Sequence, residues 1–142
     1  LLSYRRVTMT INLKMKNVGF TLIEVMITVV IVGILASIAY PNYTQFVAKG
    51  ARADGLAGVM HVANLQEQYY LDHRSFATDM KKLGLNQDPW VVENNYYEVD
   101  TTLSGDDYTV TATAVGVQAT RDAACATISL TSTGTKSPTE CW

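Results

Sequence analysis

The chain has 142 residues, a formal net charge of −2 and two cysteines. This length is enough for one small domain and a membrane helix, and it excludes two full domains. Four of the 11 basic residues precede residue 20, so seven remain beside all 13 acids and the net charge of that part is about −6. An exterior this acidic repels polyphosphate, and the sequence therefore does not favour a nucleic-acid partner.

A long apolar run extends from Phe20 to Ala39, and three small hydroxyl residues and one acid, Glu24, are its polar members. As a helix, these twenty residues are about 30 Å long, which is the thickness of the hydrocarbon core of a bilayer. The run therefore predicts a membrane-spanning helix. A carboxylate inside such a segment is costly and requires a compensating positive group.

The stretch GFTLIE at residues 19–24 resembles the signature of the type IV pilin family, as a prepilin with a class III-type cleavage signal. The resemblance implies that a prepilin peptidase cuts after Gly19 and methylates the new N-terminal amine on Phe20. It also implies that Glu24 sets the axial register as subunits are added. The amine would lie one helical turn from Glu24, in its own chain or in the next subunit. A hydrated Glu24 near the membrane surface is the alternative interpretation.

The resemblance implies three segments: a leader at 1–19, a transmembrane and filament-core helix at 20–41, and a globular pilin domain at 42–142 that includes the second half of the helix. Met15 is an expected translation start, and Met9 is another. The leader has only basic charges, which predicts a cytoplasmic N-terminus and a periplasmic C-terminus in a single-pass protein of the bacterial inner membrane. An ordinary signal peptide cut near Ala39 is the rival interpretation, but such apolar regions are typically shorter and lack an acid.

The resemblance also implies the partners: the prepilin peptidase, other major and minor pilins, the inner-membrane pilus assembly platform, and membrane lipid before assembly. The final location is a cell-surface pilus. Pro41 predicts a bend rather than an end of the helix, and Gly33 is a second soft point. In the family, the segment between such residues loses helical order when subunits pack, and a plain kink at the membrane surface is the alternative.

The helix is predicted to continue from Asn42 to about Asp72 with a different surface. Two neighbouring apolar stripes form an arc that suits a helix packed on its own sheet and touching other subunits, although an ordinary amphipathic core helix explains most of it. The stripes contain Leu56, Val59, Met60 and Ala63, and Val62, Leu65 and Tyr69. Three glycines at 50, 55 and 58 predict a close approach of another helix or a local bend.

After the helix, Asp79 is predicted to cap a short turn over Met80–Leu83 that ends at Gly84. Alternating apolar residues then predict antiparallel strands around 97–103, 108–114 and 126–130, with a loop at 118–123. The expected fold class is therefore α+β, with a long N-terminal helix packed on a small antiparallel sheet of about three to four strands.

The cysteine pair, Cys125 and Cys141, predicts a disulfide in the exported domain. A metal site is disfavoured because His61 and His73 are not suitably spaced from them. The closing Cys-Trp at 141–142 also resembles minor pilins of the PilE kind, the low-abundance members of the family.

The sequence contains no recognisable catalytic constellation, so we predict neither enzyme activity, nor a cofactor, nor a bound metal. The expected function is that of a structural subunit, a minor pilin that enters or primes a type IV pilus used in twitching motility or adhesion. Three alternatives stay open at this point: a type II secretion pseudopilin, a DNA-uptake or adhesion pilin with a ligand-binding domain, and a membrane-anchored periplasmic domain that never polymerises.

Overall fold

The computed structural model describes residues 19–142, so the expectations for residues 1–18 lie outside the described part of the chain. The elements follow the order α1 (Leu22–His73), a 3₁₀ turn (Met80–Leu83), β1 (Trp90–Val91), β2 (Tyr97–Ser104), β3 (Asp107–Ala114), α2 (Val117–Arg121), a 3₁₀ turn (Ala123–Cys125), β4 (Thr127–Thr131), β5 (Lys136–Ser137) and a last 3₁₀ turn (Thr139–Cys141). This order confirms the predicted α+β fold. The chain divides into two compact units, one up to Ser37 and one from Ile38.

In the first unit, the described residues form the start of α1. The Thr21 hydroxyl accepts a hydrogen bond from the backbone N–H of Glu24 at 3.3 Å, which satisfies one of the free donors of the first turn. The hydroxyls of Thr28 and Ser37 donate to backbone carbonyls one turn earlier, so neither is left unpaired in the apolar run. This segment of α1 is long and apolar enough to cross a membrane.

In the second unit, α1 buries a stripe of small residues against the sheet. The buried positions recur every three or four residues and comprise Ala48, Ala51, Gly55, Gly58, Val59, Val62, Ala63 and Gln66. Two of the three glycines noted in the sequence explain how closely the helix lies. A Cβ atom on Gly55 would lie 2.8 Å from the ring of Tyr97, and one on Gly58 would lie 2.9 Å from Val92. The close approach is therefore between helix and sheet.

The sheet has five antiparallel strands in the order β1-β2-β3-β4-β5. The predicted alternation in β2 and β3 is confirmed, because Tyr97, Val99, Val110 and Ala112 are fully buried and point to α1 and the core. Leu103, which continues the same alternation, is exposed near the end of β2, so the burial predicted by the alternation stops before it.

Two differences from the predicted elements concern short segments. The sheet has two more strands than the three recognised by alternation, since β1 and β5 contain only two residues each. The predicted loop at 118–123 instead begins with the helix α2. On α1, Met60, which the sequence placed in the arc shared between the sheet and neighbouring subunits, is exposed.

The connection between α1 and the sheet is fixed by side-chain hydrogen bonds. The buried Gln66 amide donates to the carbonyl of Ala77 at 2.5 Å and accepts from its N–H at 2.9 Å. The predicted cap is confirmed, because the Asp79 carboxylate accepts from the N–H of Lys81 and Gly84 ends the turn with φ of 86°. These contacts hold the connection against the helix.

Candidate assembly surfaces

The residues of the predicted processing motif lie at the start of α1. Gly19 and Phe20 precede the first helical residue, and both are exposed. Glu24 lies in the first turn, where a carboxylate interacts favourably with the helix dipole. Within residues 19–142 the only ion pair is Arg52–Asp122, so the carboxylate of Glu24 has no cationic partner in this part of its own chain.

The apolar run displays hydrophobic side chains on every side of α1. Its large side chains from Phe20 to Ile38 are all at least half exposed. Such a helix needs an apolar environment around its whole circumference, which lipid or the apolar helices of other subunits supply. Gly33 and Pro41 both lie within α1, which continues through the proline. Asn42 donates its side-chain amide to the carbonyl of Ile38 at 3.1 Å and adds a polar contact beside that proline.

The second half of α1 has an apolar face that its own domain does not cover. At 100° per residue, Phe46, Ala53, Ala57, Met60 and Leu71 lie within about 60° of one another, opposite the stripe buried on the sheet, on a mainly apolar face that also includes Asn42 and Asn64. We call the five apolar residues the outer stripe. All five are exposed, and Phe46, Met60 and Leu71 expose 77%, 51% and 71% of their surface. The helix therefore has two apolar faces, one covered by the sheet and one uncovered.

Helix α2 is joined to α1 by polar contacts across 70 residues of sequence. Arg52 donates from Nε to Asp122 Oδ2 at 2.8 Å and from Nη2 to Oδ1 at 2.5 Å, which is a bidentate ion pair. This hydrogen bonding raises the pKa of Arg52 above its usual value. The buried Gln118 side chain donates to the carbonyl of Ala48 at 2.9 Å and to the Tyr97 hydroxyl at 3.2 Å. These contacts fix α2 on the helix.

The C-terminal segment is closed by the predicted disulfide. Cys125 and Cys141 are bonded and both are buried. The ammonium group of Lys136 lies 4.8 Å from the centre of the Trp142 ring. The bond ties the turn before β4 to the last turn of the chain, and it leaves no free cysteine in residues 19–142.

A surface groove lies where α1 approaches the segment around β1. The ring of His61 lies 5.6 Å from that of Trp90, and Asn94 donates a hydrogen bond to Asp54 across the opening. His73 instead stacks on Tyr69 at 3.9 Å near the end of α1. Within residues 19–142, no group of three or more His, Cys, Asp or Glu residues has the arrangement of a metal site.

Two family models match the chain and together cover both units. The model "Type IV minor pilin ComP, DNA uptake sequence receptor" matches residues 41–129, and "Prokaryotic N-terminal methylation motif" matches residues 14–40. The chain belongs to the type IV minor pilin family. The methylation model covers Gly19, Phe20 and Glu24, in agreement with the resemblance seen in the sequence.

Individual relatives agree with this family. The chain is 32% identical over 78 residues to the type IV major pilin protein PilE1 of Neisseria gonorrhoeae, covering 55% of this chain and 47% of the relative. It is 41% identical over 75 residues to the fimbrial protein EcpC of Eikenella corrodens, covering 51% and 48%. It is 35% identical over 65 residues to the type II secretion system core protein G of Aeromonas hydrophila, covering 46% of each. The matches span less than half the length of these relatives.

Proposed function

We propose that this pilin is a minor structural subunit of a type IV pilus, processed after Gly19, methylated on Phe20 and assembled into the filament through α1. The observation that carries the proposal is the pair of opposite apolar faces on the second half of α1. A monomeric domain needs only the face that packs on its sheet, whereas a filament subunit needs a second face for its neighbours. The outer stripe supplies that second face.

Glu24 is proposed to set the register of the incoming subunit. In an apolar filament core, a carboxylate is stabilised by a positive partner and strongly destabilised without one. The positive partner in this proposal is the methylated amine of Phe20, in the same or the next subunit. Subunits that are misplaced along the axis would bury the acid unpaired.

The route to the filament follows from the N-terminal residues. The basic leader keeps the N-terminus in the cytoplasm, the part of α1 up to residue 41 spans the inner membrane, and the domain from residue 42 faces the periplasm. The prepilin peptidase then removes the leader, and the assembly platform moves the subunit from lipid into the filament. The segment between Gly33 and Pro41 loses helical order on packing. The role is structural, and we assign the chain no catalysis.

The test of this function is the presence of the protein in sheared filaments of the cell that makes it. We expect the full chain to co-sediment with the major pilin, and Glu24→Gln to remain in the membrane although it is cut and methylated. Glu24→Asp, which keeps the charge, is the matched control and retains part of the incorporation. Wild-type protein that stays wholly in the membrane fraction would contradict the proposal.

A second candidate function is favoured by the family description, which names a DNA uptake sequence receptor. In this second proposal the domain binds duplex DNA at the filament surface. The net acidic domain requires a local basic patch, and the exposed neighbours Lys81 and Lys82 are the densest basic pair in the described residues. Full chain in nanodiscs would then bind a duplex with an affinity that falls steeply with salt. Lys81→Ala with Lys82→Ala would reduce that salt dependence.

A pseudopilin of type II secretion is the remaining candidate, supported by the similarity to core protein G. The minor-pilin model over residues 41–129 favours the pilus instead, because it covers the domain and not only the N-terminal helix. Incorporation into type II secretion pseudopili but not into pili would reverse this preference.

A further inference from the structure

A groove lies between α1 and α2 at the start of the second unit. It has a volume of about 310 Å³ and is lined by Tyr40, Tyr43, Thr44, Val47, Val117 and Arg121. We call it the α1–α2 groove. The α1 residues recur at spacings of three and four, and Val117 and Arg121 are four residues apart, so one face of each helix forms one wall. The walls are aromatic and aliphatic, with a single cation, Arg121.

The groove is built on fixed elements. Gln118, which lies between the two α2 wall residues, is fully buried and hydrogen-bonded to α1, and the next residue after Arg121 is the ion-paired Asp122. The two walls are therefore held at a constant separation. Val117 nevertheless exposes 57% of its surface, which is unusual for an aliphatic residue on an element fixed this firmly.

Arg121 has unused capacity for an anion. Its Nε donates to Gln118 Oε1 at 2.5 Å, and its guanidinium lies 4.7 Å from the centre of the Tyr96 ring. Both partners are uncharged. Among residues 19–142, no carboxylate forms a salt bridge with it. A planar guanidinium matches phosphate well.

The position of the groove identifies the source of the phosphate. Tyr40 directly follows the apolar run that ends at Ala39, and Tyr43 lies one turn further along α1. Tyrosines next to a membrane span lie at the level of the lipid headgroups. Basic side chains at this level bind lipid phosphate, and Lys49 lines an adjoining cleft together with Arg121 and the ion-paired Arg52 and Asp122.

We propose that the α1–α2 groove binds the headgroup of an anionic phospholipid while the unassembled subunit is in the membrane. Arg121 binds the phosphate, Tyr40 and Tyr43 lie in the headgroup layer, and Val117 contacts the upper acyl chain. The inference rests on the membrane residence included in the proposed function. It adds a specific lipid site on the globular domain. The site loses the lipid headgroup and gains other contacts when the subunit leaves the membrane.

The experiment uses the full chain with Val117→Cys, labelled with an environment-sensitive fluorophore; the two native cysteines are paired and unreactive. The protein is reconstituted into vesicles of phosphatidylcholine with or without phosphatidylglycerol, and flotation establishes insertion. The control site is Leu103→Cys, which is also exposed. Leu103 adjoins Tyr70, which lies 30 residues beyond Tyr40 on α1, or about 45 Å away.

In vesicles with phosphatidylglycerol, we expect the fluorescence of the probe at position 117 to shift to the blue and to be reduced by a quencher attached to the lipid headgroup. Both effects should be weaker in phosphatidylcholine alone. Neither should occur for a probe at position 103. Arg121→Gln should lower the ratio of bound to unbound probe about fivefold in phosphatidylglycerol, the value of one basic residue at an anionic surface. Arg121→Lys keeps the charge and should retain most of the preference, which separates loss of the phosphate contact from damage to α2.

Three results would overturn the proposal. If the probe at position 117 reports a water-exposed environment although the protein is inserted, the lipid site is wrong and the pilin assignment is unaffected. Equal shifts with and without phosphatidylglycerol would indicate apolar contact without headgroup recognition. A shift that requires other pilins would make the groove a protein-docking site. Failure to float with the vesicles is a different outcome, because it contradicts the membrane residence and the proposed function together.

Discussion

Gly55 of α1 lies against the ring of Tyr97 so closely that a Cβ atom on the glycine would be 2.8 Å from two of the ring carbons. Tyr97 is fully buried and its hydroxyl accepts a hydrogen bond from Gln118, so the surrounding core and this hydrogen bond hold the ring in place. The contact sets the distance between the helix and the sheet. The glycine is therefore required by packing rather than by backbone conformation.

Gly55→Ala should destabilise the domain. Overpacking a core costs about 1–3 kcal/mol, which exceeds the gain of up to about 1 kcal/mol from better helix propensity. Gly50 is the matched control, since it lies in the same helix and a methyl group added there would have no neighbour within 4 Å. Gly50→Ala should stabilise the domain by several tenths of a kcal/mol. Urea unfolding of the full chain in detergent measures both, and equal effects would contradict the packing account.

Removing either member of the Arg52–Asp122 pair should loosen α2. Asp122 is only 8% exposed, and Asp122→Ala leaves the guanidinium of Arg52 without its bidentate acceptor. We expect a loss of about 1–3 kcal/mol, less than for a fully buried pair because Arg52 is partly exposed. The double variant Arg52→Ala with Asp122→Ala should lose less than the sum of the single variants, and strict additivity in the unfolding free energies would argue against coupling.

Stability should fall at alkaline pH because of Tyr108. Burial, and then its hydrogen bond to Glu67 at 2.9 Å, raises the pKa of Tyr108 well above the usual 10.0. The unfolded chain loses this proton first, so the folded state binds more protons and its stability decreases as pH rises above about 10. Tyr108→Phe should flatten this part of the pH profile of urea unfolding. A profile unchanged by the substitution would show that other groups cause the decline.

Met60→Glu should block incorporation without unfolding the domain. Met60 is in the outer stripe and half exposed, so its own domain tolerates a charge there. A neighbouring subunit would bury that charge unpaired, and we expect the filament-associated fraction to fall at least about tenfold. Thr102→Glu, an exposed change on β2, is the control and should assemble normally. Normal assembly of Met60→Glu would exclude the outer stripe from the contact surface.

Local sequence signals predicted much of this structure. The apolar run predicted the first part of α1, and alternation predicted β2, β3 and the middle of β4, because one buried face imposes a period of two. The cap at Asp79, with Gly84 ending its turn, also depends on neighbouring residues alone. The disulfide was predicted because the exported part of the chain contains an even number of cysteines, which pair in an oxidising compartment.

The elements that were missed depend on distant residues. Helix α2 has only five residues. It is held by a hydrogen bond from the Gln118 side chain to the carbonyl of Ala48, 70 residues earlier, and no local pattern reveals this contact. Strands β1 and β5 are too short for any alternation to be visible. For the candidate site, the sequence located Glu24 but not the residues of the outer stripe. That face of α1 can be recognised only when it is known which opposite face packs on the sheet.

The most direct test of the central claim is the intact mass and N-terminal residue of the membrane-extracted protein, with and without co-expressed prepilin peptidase. We predict a new terminus at Phe20 carrying one added methyl group, and only when the peptidase is present. A terminus at Tyr40 would indicate an ordinary secreted domain, and an uncut leader would indicate a simple membrane anchor. Either result would contradict the assembly role proposed for Phe20 and Glu24.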